Sequence, residues 1–144
     1  MRVYADSSFL VSCYLLDANT PAAKAFLVEH ADPFPFTTLH DLEVRNAVQL
    51  GVFRHVLTIE QARAVVGAIE EDLASGRLVR APIKWPGTFR VASRLSARHA
   101  AATGARSLDI LHLAAAKSLR CKELASFDAR QRALGTLAGL ITAL

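Results

Sequence analysis

A chain of 144 residues with 52% hydrophobic and 21% charged side chains has the length and balance of one globular domain, which excludes intrinsic disorder. Its net charge of +4 and pI near 9.5 lean mildly toward polyanionic partners. The two cysteines, Cys13 and Cys121, have neither zinc-ligand nor disulfide-framework spacing, and no apolar run reaches the roughly 20 residues of a membrane span. The apolar stretch 9–16 has Asp6 before it and Asp17 after it, against a signal peptide, so a cytoplasmic protein with no membrane partner is expected.

Val3 and Tyr4 give a short β-prone run, and Asp6 followed by Ser7 and Ser8 reads as the strand's end and the cap of a helix. Phe9, Leu10, Cys13, Tyr14 and Leu15 are spaced for a short helix lying on a sheet. Asn19-Thr20-Pro21 supplies a cap and a first-position proline, predicting a helix to about His30. Pro33 and Pro35 break the chain, and 34–37 reads as a second strand. Thr38 with Asp41 resembles a capping box for a helix through Gly51, with Glu43 in its early turns. Leu42 and Val44 beside Glu43 predict little exposed surface there.

Thr58 and Gln61 open a further helix whose apolar stripe, Ile59, Ala62, Val65, Val66, Ile69 and Leu73, ends at Gly76. Residues 78–83 read as extended, and Pro86 opens a helix through about Ala102, closed by Thr103-Gly104. The run SLDILHLAAAKSLR, with Ser107 as its cap, is apolar on nearly every side and predicts a buried helix. A strand over 123–127 ends in Asp128, a short basic helix follows through Leu134, and 139–143 can form a last strand. Strands separated by helices predict a parallel sheet with helices on both faces, and the lack of repeats or linkers predicts one domain over 1–144.

Asp6, Glu43, Asp109 and Asp128 fall at strand-to-helix junctions or in early helical turns, so the fold decides whether they gather. Each also has a plain structural reading. Asp6 and Asp128 suit N-caps, Asp109 suits a helix dipole, and an isolated helical glutamate is usually solvated. A carboxylate at the head of a buried helix, however, loses hydration worth several kcal/mol unless a cation or hydrogen-bond donors replace it. Hard divalent cations need such clusters of oxygen ligands. His112, three residues past Asp109 in an apolar helix, reads first as a packed core histidine.

The segments VYADSS, LEVRNAV, RSLDILHLAAA and ASFDARQ together resemble the PIN-domain ribonucleases, most closely their VapC-type toxin branch. The resemblance runs over nearly the whole chain in order, and RSLDILHLAAA is its most specific piece. It implies a three-layer α/β/α PIN-like domain with a short central parallel sheet. It also implies Mg²⁺, with Mn²⁺ as an alternative, held by Asp6, Glu43, Asp109 and Asp128 to hydrolyse RNA phosphodiesters. Ser7, Asn46 and Ser126 match supporting positions, Asn46 as a residue able to orient Glu43 one turn away. Arg45, Arg106, Arg130 and Arg132 flank the acids and suit either RNA phosphates or ion pairs with those acids.

The resemblance further implies a homodimer and a small antitoxin whose tail reaches the acidic site, with 59–73 as a docking face or as core packing. The alternative is a non-catalytic PIN-like module that binds RNA or protein. A receiver-like module needs adjacent acids that Asp6-Ser7-Ser8 lacks, a D-x-D phosphohydrolase fails on Ser8, and no G-x-G-x-x-G follows a strand.

Overall fold

The computed structural model describes residues 2–144. Its elements are β1 (Val3–Ala5), α1 (Ser7–Tyr14), α2 (Thr20–Glu29), β2 (Phe34–Phe36), α3 (Thr38–Phe53) and α4 (Ile59–Ser75). There follow β3 (Leu78–Arg80), α5 (Trp85–Thr103), α6 (Ser107–Ser118), β4 (Glu123–Ala125), α7 (Ala129–Leu137) and β5 (Ile141–Thr142). The protein is thus of the mixed α/β class, with seven helices among the described residues and short parallel sheets, as expected. The chain divides into two compact units, 2–6 together with Ala81–Leu144, and Ser7–Arg80.

In the first unit the strand order is β1-β4-β5, all parallel, with Val3 opposite Glu123, Ala5 opposite Ala125 and Leu124 opposite Thr142. Three-residue strands offer few ladder bonds, so burial sustains them, and every residue of β1 and β4 is buried. Helix α6 supplies much of that burial, because Ile110 through Ala116 are all buried. Its cap lies one residue earlier than the sequence suggests. Arg106 is the N-cap with extended backbone, which places Asp109 rather than Ser107 in charge of the first turn: Asp109 Oδ2 accepts the Arg106 backbone N–H at 3.0 Å. Gly135 lets α7 lie close to the core, since a Cβ there would stand 2.9 Å from Leu124 Cδ2. Helix α7 runs to Leu137, past the expected Leu134.

In the second unit β2 and β3 pair in parallel, Phe34 opposite Leu78 and Phe36 opposite Arg80, and the extended segment predicted over 78–83 is a strand only to Arg80. The expected Thr38–Asp41 capping box is replaced by Thr37 with His40. Thr37 Oγ1 accepts the His40 N–H at 3.3 Å, and His40 Nδ1 accepts the Thr37 N–H at 3.0 Å. A buried imidazole stacked on Phe36 does here what a Glu or Gln usually does. The Thr58–Gln61 box forms as predicted, and Gly76 closes α4 in the left-handed region at φ 80°. The expectation of little exposed surface around Glu43 fails at Leu42, which is 68% exposed, while Val44 on the opposite face is buried. No helix among the described residues is long and apolar enough to cross a membrane.

Candidate active site

Within the first unit, three of the expected acids stand on connected elements. The Asp6 backbone N–H donates to the Ala125 carbonyl at 3.0 Å, carrying the β1–β4 pairing one step beyond Ala5. Asp6 and Ser126 therefore leave neighbouring parallel strands at the same carboxyl edge, and both are buried. Asp128, two residues on, caps α7: its Oδ1 accepts the N–H groups of Arg130 at 2.8 Å and Gln131 at 3.0 Å. Ser126 Oγ accepts the Asp128 N–H at 3.1 Å, which fixes the short turn between β4 and α7.

Gln131 is a residue the sequence reading missed. Its buried side chain receives the Ser126 hydroxyl at 3.2 Å and gives Nε2–H to the Asp109 carbonyl at 3.4 Å. One amide thereby joins the head of α7 to the first turn of α6. The signal was its place three residues after Asp128, the capping-box spacing, inside the quoted ASFDARQ.

A second tie runs deeper. The Tyr4 hydroxyl and His112 Nδ1 lie 2.8 Å apart with the rings edge to face, so the strand ending at Asp6 is bonded to the helix carrying Asp109. His112 is the buried, hydrogen-bonded core histidine that its apolar helix suggested.

In the second unit Glu43 is half-buried on α3, and its Oε2 accepts the Ser7 hydroxyl at 2.6 Å from the head of α1. Asn46, expected to orient Glu43, is exposed, and its side chain makes no hydrogen bond to Glu43 among the described residues. Ser7 takes that orienting part.

The flanking arginines differ. Arg45 pairs with Asp41, Nε to Oδ1 at 2.9 Å, and with Glu70, and these bonds, Asp41 foremost, raise its pKa further. Arg132 Nη1 donates to the carbonyls of Ser126 at 3.2 Å and Phe127 at 3.1 Å, bracing the turn before Asp128. Arg130 Nη2 lies 3.9 Å from Asp128 Oδ2, and Arg106 is exposed.

The expected donors are all carboxylates, which is the oxygen chemistry that hard divalent cations take. Among the described residues, no three His, Cys, Asp or Glu side chains stand together as a formed metal cluster.

A family model described as PIN domain matches residues 3–137. The structure resembles that of VapC20 from Mycobacterium tuberculosis, a sarcin-ricin loop cleaving toxin, with a TM-score of 0.69 at 16% identity over 92% of this chain and 95% of that one. FitAcB from Neisseria gonorrhoeae gives 0.64 at 15% identity over 97% of this chain and 95% of that one. At such identities the likeness is one of fold. No curated protein matches the sequence.

Proposed function

The chain belongs to the PIN domain family, and from that premise we propose that it is an endoribonuclease dependent on Mg²⁺, with Mn²⁺ as the alternative ion. In this reading Asp6, Glu43, Asp109 and Asp128 hold the metal, and 1–144 acts as one nuclease domain, since a single family model spans both units. The observation that carries it is the pairing of β1 with β4. It sends Asp6 and the Asp128 turn off the same carboxyl edge, where parallel α/β sheets receive ligands. Gln131 attaches the Asp109 turn to that edge, and Ser7, next to Asp6 in the chain, holds Glu43.

The chain's own residues bind and orient. The bonds from Arg106 N to Asp109 and from Arg130 N and Gln131 N to Asp128 each engage one carboxylate oxygen and fix the rotamer. A bound divalent ion supplies charge neutralisation of the carboxylates, a more acidic water and stabilisation of the phosphoryl oxygens. Carboxylates brought close together repel, and the cation relieves that repulsion.

The neighbours extend the reading to a toxin of a toxin–antitoxin pair working in the cytoplasm. VapC20 is described as cutting the sarcin-ricin loop, so a structured RNA loop is the proposed substrate class. An antitoxin and a second copy are the proposed partners. Helix α4 suits docking at its head, where Ile59 is 62% exposed, whereas Ile69 is buried in the core.

The test is RNA cleavage by the purified chain with Mg²⁺, with EDTA, and with Asp6→Asn or Asp109→Asn. The proposal expects cleavage only with metal and only in the wild type. Undiminished cleavage by the variants removes these acids from the reaction, and RNA retention without cleavage in any metal identifies a binding module instead.

A further inference from the structure

Helix α5 is charged in one sense only. Its 19 residues contain Arg90, Arg94 and Arg98 and no Asp or Glu. Spacing of four residues at a rise of about 1.5 Å sets the three in a row, roughly 6 Å apart, on one face. All three are exposed, and none has an acid within ion-pairing distance among the described residues. Like charges at this spacing destabilise a helix by a few tenths of a kcal/mol per pair, so the row does nothing for the fold.

Beside the row lies a cavity of about 420 Å³, lined by Arg94, Arg98 and Lys117 together with Val91, Leu95 and Leu137, among others. Its position separates it from the acids. Lys117 and Leu137 are in the last turns of α6 and α7, whereas Asp109 stands in the first turn of α6 and Asp128 caps the head of α7. Eight residues of α6 between Asp109 and Lys117 span about 12 Å. Lys117 is fixed there by donating to the Ala138 carbonyl at 2.6 Å.

We infer that Arg90, Arg94 and Arg98 form a second RNA-contact surface that grips successive backbone phosphates of a single-stranded segment, while the adjoining cavity receives one unstacked base. Guanidinium groups bind phosphate bidentately, and their row repeats at about the separation of neighbouring phosphates on a strand. A cavity whose wall sets Arg94 and Arg98 beside Val91, Leu95 and Leu137 suits a flat base, which stacks on arginine as well as on aromatic side chains. The inference builds on RNA as the ligand of the proposed nuclease.

Binding of a fluorescein-labelled single-stranded RNA by the full chain, followed by anisotropy in EDTA, reads the surface with cleavage absent. A chain that never cuts RNA therefore still decides the matter. The triple variant Arg90→Gln, Arg94→Gln, Arg98→Gln is expected to melt like wild type yet lose about 2 units of the slope of log K against log salt, at about 0.7 per phosphate contact. Arg63→Gln, exposed on α4, is expected to leave the slope unchanged. An abasic strand is expected to bind wild type more weakly than the same strand with bases; equal binding overturns the base-receiving cavity. An unchanged slope in the triple variant overturns the phosphate row. So does loss of binding to a poly-glutamate peptide with RNA binding intact, which assigns the row to an acidic protein partner.

Discussion

The Ser7 hydroxyl donates to Glu43 Oε2 at 2.6 Å across 36 positions of sequence, so the residue that follows Asp6 in the chain fixes the carboxylate on α3. A hydroxyl-to-carboxyl bond of this length is short, and it selects one rotamer of a half-buried glutamate. Ser7→Ala releases that rotamer. Loss of an orienting partner of a metal ligand typically weakens metal affinity by about 10–100-fold. The expected outcome is such a drop in Mn²⁺ affinity by calorimetry with little change in thermal stability, and recovery in Ser7→Thr.

Tyr4 and His112 are both buried and bonded to each other at 2.8 Å. Tyr4→Phe keeps the ring and its edge-to-face contact but takes away the hydroxyl, leaving a buried imidazole nitrogen without that partner. A loss of about 1–3 kcal/mol in unfolding free energy is expected, measured by urea denaturation.

Gly135 tests the packing of α7 directly. Alanine there puts a methyl group 2.9 Å from Leu124 Cδ2 and 3.6 Å from Leu113 Cδ1, in a core with little slack. Gly135→Ala is expected to cost about 1–3 kcal/mol of stability. The same substitution at Gly67, whose added Cβ meets nothing within 4 Å, is expected to stabilise α4 by up to about 1 kcal/mol.

Two titrating groups near α1 give pH-dependent expectations. Burial raises the Asp17 carboxyl, but hydrogen bonds from Ser12, Asn19 and Thr20 together outweigh it and hold the group below its ordinary 3.8. A depressed carboxyl contributes stability above its unfolded value and loses it as pH falls through the folded one. Wild type is therefore expected to lose stability relative to Asp17→Asn only below about pH 4, seen in melting curves across acid pH. Cys13 behaves oppositely: burial first, then Asp72 and Asp17, push its thiol up to about 12. It stays protonated at neutral pH, so iodoacetamide is expected to leave it unmodified in the native protein at pH 8 and to alkylate it in urea.

What the sequence reveals is what local chemistry decides. The Thr58–Gln61 box and the glycine stops at Gly76 and Gly104 depend on neighbours a few residues away, and SLDILHLAAA announces its own burial. The box of α3 is expected at Thr38 with Asp41 and forms one residue earlier, at Thr37 with His40, because a buried histidine does there what the usual pattern assigns to an acid or amide. Gln131 was not legible for another reason, and neither was the bond by which Ser7, a supporting position by resemblance, holds Glu43. The partners, Asp109 and Glu43, lie 22 and 36 positions away, and only the folded chain brings them within reach. Asn46 shows the converse: helical spacing put it one turn from Glu43, yet the side chain faces outward.

Sharing of one divalent cation by four carboxylates is read by titrating Mn²⁺ into the metal-free chain and following electron paramagnetic resonance. Binding is expected to saturate in the wild type and to be at least about 10-fold weaker in each of Asp6→Asn, Glu43→Gln, Asp109→Asn and Asp128→Asn, with folding preserved in circular dichroism. Wild-type affinity retained by Glu43→Gln or Asp109→Asn contradicts such sharing.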